Sequence, residues 1–127
     1  MEKTLASFGP YAYAILRTVA GSLLVSHGGQ KLFGWFGGQP VPFGSLFGLA
    51  GIIEIVLGLL ITIGLLTHYA AFITSGEMAV AYFIGHFPKS FWPLDNGGEP
   101  AVLFCFIFLY VTTHGSGIWS VDAALAG

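Results

Sequence analysis

Apolar residues fall into four long runs separated by breaks rich in Gly and Pro. The runs cover about residues 11–33, 43–66, 69–87 and 100–113 or slightly beyond. About 20 apolar residues in a helix span a bilayer core, so the first three runs have the length of membrane spans. The fourth reaches it by extending through Ile118-Trp119, where an indole favours the headgroup zone. Pro10 suits the first turn of a helix. Gly37-Gly38-Gln39-Pro40 followed by Pro42 marks a loop, Thr67-His68 a tight turn, and Pro88 the end of the third run. Residues 88–99 form the longest polar loop, and Glu99-Pro100 opens the fourth run with an acid where the helix macrodipole favours one. The second run carries Gly44-x-x-x-Gly48, Gly51 and Gly58, small residues at intervals that let helices approach closely. The pattern predicts an all-α fold, an integral-membrane antiparallel four-helix bundle forming a single domain over 1–127. Both termini then lie on one side and loops 34–42 and 88–99 on the other.

Composition points the same way. Of 127 residues, 55% are hydrophobic and 8% charged, against about 25% charged in soluble domains. Short loops leave no soluble domain for separate chemistry. A net charge of −2 with no basic run excludes nucleic acid as an expected partner. The start resembles a signal peptide only weakly: Gly9-Pro10 breaks the run before Ala12-Tyr13-Ala14, and the apolar stretch continues, which predicts an uncleaved first span. Lys3 and the amino terminus oppose Lys31 and Lys89 in the positive-inside comparison; the favoured orientation has the termini in the cytoplasm.

Against this background the buried charges stand out. Arg17, Lys31, Glu54 and Glu77 lie within or at the end of apolar runs, and ionisable groups there pair internally or mark function. Glu54 and Glu77 fall near mid-span, Arg17 towards the termini, and His27 and Lys31 towards the loops. At 100° per residue, Arg17, His27 and Lys31 share a sector of about 80°. His86, Asn96 and Glu99 gather at the loop end with His27 and Lys31. Two readings follow. In one, Arg17 pairs with Glu54 or Glu77 as a structural network, while Lys31 snorkels or bridges Glu99 at the interface. In the other, His27, Lys31, Asn96, Glu99 and His86 border a polar ligand site.

Other chemistry finds little footing. Cys105 is the single cysteine, so neither an internal disulfide nor a Cys-x-x-Cys relay exists, and its apolar setting reads as packing. Four histidines raise haem, but His27 and His86 lie at one end and His68 and His114 at the other, with no attachment motif or ligand spacing; no metal site is expected. Ser26-His27 makes no triad, and phosphate-loop and dinucleotide fingerprints are missing. The aromatic residues read as packing or lipid-facing groups that can also line a flat apolar pocket for a quinone ring or acyl chain.

The ordered motifs resemble the DoxX-like family of small bacterial four-helix membrane proteins, DoxD-type subunits included. Arg17 followed by Ser26-His27-Gly28-Gly29-Gln30-Lys31 is similar to the family's arginine and His-Gly-x-x-Lys segment. Gly51, Glu54, Gly58 and Gly64-Leu65-Leu66-Thr67 are similar to its second helix, and Glu77-Met78-Ala79-Val80-Ala81 to its Met-Ala-x-Ala segment. Asn96-Gly97-Gly98-Glu99 and Gly115-Ser116-Gly117-Ile118-Trp119-Ser120-Val121-Asp122 complete the series; Ser116 stands where the family tail carries proline. The resemblance implies a multi-pass protein of the bacterial inner membrane and an association with membrane redox systems, since DoxD-type members resemble a subunit of a thiosulfate:quinone oxidoreductase. It does not by itself establish catalysis.

The leading expectation is a membrane subunit of a redox system that binds a quinone-like or other amphipathic ligand at the loop side, beside a soluble or membrane redox partner protein. The alternatives are a non-catalytic anchor for a soluble enzyme and a small transporter or proton-relay protein using Glu54 and Glu77. A homo-oligomer is compatible with each.

Overall fold

A computed structural model describes residues 1–127. The chain is all-helical, with α1 (Glu2–Ala6), α2 (Gly9–Phe33), α3 (Leu46–Ile63), α4 (Thr67–Gly85), α5 (Pro93–Asn96), α6 (Glu99–His114) and α7 (Val121–Ala126). The long elements α2, α3, α4 and α6 contain 25, 18, 19 and 16 residues. Short α1, α5 and α7 lie outside the apolar runs, where periodicity gave no signal.

Local chemistry sets the ends. Gly34, at φ 73°, takes the left-handed conformation that closes α2, and its amide bonds back to Gln30 and Gly29. α3 begins at Leu46, later than the apolar run, because Ser45 Oγ caps it by accepting from the Gly48 amide at 3.1 Å. Gly64 closes α3 in the same left-handed way. The turn lies at Gly64–Leu66, with Leu66 at φ 52°, and Thr67 already belongs to α4; this corrects the expected turn at Thr67-His68.

α2 packs along α3 and α4 along α6, and α3 against α4 joins the two pairs. Neighbours run in opposite directions: Arg17, near the start of α2, bonds to Ile61 at the end of α3 and to the segment after α6. The α2–α3 seam is built on glycine. A Cβ at Gly28 would sit 2.6 Å from the Gly51 carbonyl oxygen, and one at Gly58 2.9 Å from that of Gly21. The core contains Ala20, Leu24, Ile61, Met78, Phe108 and Val111.

The polarity is inverted relative to a water-soluble domain. Arg17 and Glu54 are each only 1% exposed, while Leu16, Leu23, Ile52, Val56, Phe72, Val80, Phe83, Leu103 and Phe106 face outward. Exposed apolar surface of this extent marks a face meant for another apolar phase or partner. By length and composition, α3 is the one helix able to cross a membrane on its own; α6 is apolar but shorter.

Candidate functional site

The close α2–α3 seam brings Lys31 to Glu54. Gly28 lies one turn before Lys31, and Gly51 one turn before Glu54 on the buried face of α3 that also carries Gly58 and Ile61. With no side chain at the glycines, Lys31 Nζ reaches Glu54 Oε2 at 2.5 Å, a charge-assisted bond and the chain's one salt bridge. Glu54 is fully buried and the Lys31 side chain 27% exposed. Its other oxygen, Oε1, has no partner. Glu77 of α4 comes alongside Glu54, yet both its carboxyl oxygens are buried without a hydrogen bond in good geometry. A buried polar group left without a partner is costly, so three such oxygens beside one ammonium mark a place able to receive a donor.

Two cavities meet at this cluster. An apolar cleft of about 250 Å³ runs between α3 and α4, lined by Leu46, Phe47, Ile53, Val80 and Ile84, with Lys31 and Glu77 as its polar groups. A second cavity, about 270 Å³, opens among α2, α4 and α6 at the loop end and is lined by His27, Lys31, Glu54, His86 and Phe104 among others. His27 is exposed at this cavity, its ring edge-on to Phe104 with centroids 5.5 Å apart. His86 is half-buried, and its Nδ1 lies 3.2 Å from the Asn96 carbonyl oxygen.

The expected loop-side group is therefore partly assembled. His27, Lys31 and His86 share a cavity, and Glu54 joins them. Glu99 does not: it is exposed at the first turn of α6 and is not among the residues lining the cavity, although Pro100 and Ala101 beside it are, and Lys31 turns inward to Glu54 rather than outward to Glu99. The Asn96 side chain is consumed structurally. Its Nδ2 donates to Tyr82 Oη at 2.9 Å and to the Ser90 carbonyl at 3.0 Å, and its Oδ1 accepts from the Gly98 amide at 2.8 Å. This pins the 88–99 loop and leaves no donor for a ligand. Tyr82, whose hydroxyl donates to Phe91, is the hub that sequence pattern missed; its place one turn before His86 was the available signal.

Arg17 corrects a second expectation. It pairs with neither Glu54 nor Glu77. Its Nε donates to the Ile61 carbonyl at 3.1 Å, Nη1 to those of Ser116 and Ile118, and Nη2 to that of Trp119 at 2.9 Å. Ile61 lies in the last turn of α3, where carbonyls carry the negative end of the helix dipole, and Ser116, Ile118 and Trp119 lie in the non-helical segment between α6 and α7, so main-chain oxygens take the place of a carboxylate. No group of three or more His, Cys, Asp or Glu is arranged to hold a metal.

Comparison with known proteins places this geometry in context. The family model described as DoxX matches residues 12–87, which contain Arg17, His27, Lys31, Glu54 and Glu77. A Haemophilus influenzae protein, described only as uncharacterised, is 38% identical over 125 residues, covering 93% of this chain and 93% of its own length. A Mycobacterium tuberculosis protein, described as an uncharacterised membrane protein, is 27% identical over 144 residues, covering 98% of this chain and 87% of its own. No solved structure matches the chain significantly.

Proposed function

The chain belongs to the DoxX family, and from that premise we propose that it is a multi-pass membrane subunit of a redox system that holds the head of a quinone-like amphipath at the loop-side end of its α3–α4 cleft. The four long helices form a transmembrane bundle in the bacterial inner membrane, with termini in the cytoplasm. Their apolar outer faces and buried charges support the bilayer setting, as does the membrane-protein description of the mycobacterial relative. Helices satisfy their own backbone hydrogen bonds, which hydrocarbon requires. Electrons come from a separate partner protein.

The observation that carries this reading is the cleft itself. An apolar slot ends on an ammonium and a carboxyl group with no partner of its own. A tail or ring fits the apolar walls, while a head in its reduced, hydroxyl-bearing form accepts from Lys31 at one oxygen and donates a hydroxyl to Glu77, the usual division of labour in a small-molecule site.

Binding of decylubiquinol, kept reduced under anaerobic conditions, to the detergent-purified protein tests it, together with solvent extraction of any quinone retained from the membrane. Saturable binding that weakens about tenfold or more in Glu77→Gln, a loss of roughly 1.4 kcal/mol, is the expected result. Absence of saturable binding in the folded parent overturns the quinone reading; a stable complex with a soluble protein would then favour the anchor role.

A further inference from the structure

The Lys31–Glu54 pair is the partition between the two cavities. Lys31 and Ala81 line both. Glu77 faces the apolar cleft, Glu54 faces the loop-end cavity, and the two carboxyl groups lie side by side. We propose that Glu77 and Glu54 form a one-sided proton path that connects a ligand head in the α3–α4 cleft to water at the loop end, through the cavity bearing His27 and His86. This deepens the quinone reading and rests on it for the ligand, but not for the path.

Three observations carry it. First, the cluster has two carboxyl groups against one ammonium, so charge balance is reached with one proton on the carboxyl pair. Such a pair titrates as a unit, and a proton moves between neighbouring oxygens without any change in net charge. Second, Glu54 is fully buried and its Oε1 is unpartnered, leaving that oxygen free to take a proton from Glu77 and pass it to water in the cavity. His27 is exposed at the cavity and is the side chain suited to proton exchange near neutral pH. Third, the opposite direction is closed. On α2 the buried residues between Lys31 and Arg17 are glycines, Leu24 and Ala20. Phe104, Phe108 and Val111 face them from α6. The mid-helix hydroxyls of α4 are engaged with backbone, Thr74 on Ala70 and Ser75 on Cys105. Beyond them stands the Arg17 guanidinium, whose charge repels a proton.

The step balances without electron transfer. With the pair's one proton resting on Glu77, Glu77 passes it to the Glu54 carboxylate, a hydroxyl on the ligand head then gives its proton to the ionised Glu77, and Glu54 gives its proton to water in the loop-end cavity. The ligand is left as its anion beside Lys31, and the carboxyl pair returns to its starting state.

The full-length protein in phosphatidylcholine–phosphatidylglycerol bilayers allows a direct test. Infrared difference spectroscopy on transfer to D2O follows the carboxyl C=O band, assigned by its loss in Glu77→Gln. The parent exchanges within the mixing time. Glu54→Gln slows exchange about tenfold or more, as expected for loss of a positioned acid–base group. Ala101→Leu, which narrows the loop-end cavity from its α6 side and lies outside the cleft, slows it similarly and leaves decylubiquinol binding unchanged. Ala101→Leu decides the matter if Glu54→Gln does not fold. Unslowed exchange in Ala101→Leu overturns the path, and passive proton flux through parent proteoliposomes overturns its one-sidedness. Failure of decylubiquinol to bind, with exchange still gated by Ala101→Leu, removes the quinone reading and leaves the proton path standing.

Discussion

Arg17 Nη2 donates to the carbonyl of Trp119 at 2.9 Å, joining the start of α2 to the segment that follows α6. Trp119 holds a positive φ of 56°, and Ser116 and Ile118 give their carbonyls to the same guanidinium. One cation thus organises an otherwise irregular stretch of backbone. Removing it leaves the part-buried Ser116, Ile118 and Trp119 carbonyls without this donor, each costing up to about 1–3 kcal/mol. Arg17→Met is expected to lose about 3 kcal/mol or more of stability in detergent, with proteolytic cleavage appearing within residues 115–120. Parent-like melting and protease resistance would sink this account.

The Lys31–Glu54 bridge makes a different prediction because both of its groups are charged. Lys31→Met leaves a fully buried carboxylate alone, a loss of about 3–5 kcal/mol for a fully buried pair. Partial exposure of Lys31 places the expected value at the low end of that range. Lys31→Met/Glu54→Leu is expected to recover most of it, since an apolar pair of similar volume avoids desolvating charge. A double-mutant cycle by thermal unfolding measures the coupling; additive losses would mean that the bridge contributes no interaction.

Helical content and the approximate positions of the four long elements were legible because they rest on local chemistry: runs of apolar residues, and Pro10 and Pro100 near helix starts; the left-handed caps at Gly34 and Gly64 were not read as helix ends. The buried faces were partly legible, since Gly28 and Lys31 on α2, and Gly51 and Glu54 on α3, repeat at helical spacing. Arg17 was misread because its acceptors are main-chain carbonyls, which every residue possesses and no sequence advertises. Asn96 and Glu99 were misassigned for a related reason. Both lie in the 88–99 segment, but it folds back to bond the Asn96 side chain to Tyr82 and Gly98, while the Glu99 side chain stays exposed. Counting charges on each side of a span says which groups share a depth, not which face each other.

Glycines on the α2–α3 seam are expected to behave unlike glycines elsewhere. Gly28→Leu forces α2 off the Gly51 carbonyl and Ile55, with an expected loss of about 1–3 kcal/mol from overpacking and a weaker Lys31–Glu54 contact. Gly76→Ala meets nothing within 4 Å of its new Cβ. There the gain from replacing an interior helical glycine, about 0.5–1 kcal/mol, is expected to appear uncompensated. Paired melting curves check the contrast, and equal effects at the two positions would argue against a glycine-set helix spacing.

Asp122 supplies the pH-dependent contact. Burial raises its carboxyl affinity for a proton, but bonds from the Thr67 and Leu66 amides, at 3.0 and 2.9 Å, outweigh this and hold the group below its ordinary value of 3.8. These amides open α4, where N–H groups lack helical partners and a negative charge suits the dipole. A group depressed in the folded state contributes stability that is fully present above its unfolded value and is lost as pH falls through the folded one. The α7–α4 contact is therefore expected to hold at neutral pH and to loosen only as pH drops from about 4 downward. Hydrogen exchange at the Leu66 and Thr67 amides, corrected for intrinsic acid dependence, reads this directly: protection falls across that window in the parent. In Asp122→Asn it is lower at neutral pH and flat through the window. Protection in the parent that is constant down to the acid limit would show that the carboxylate charge does not hold the two segments together.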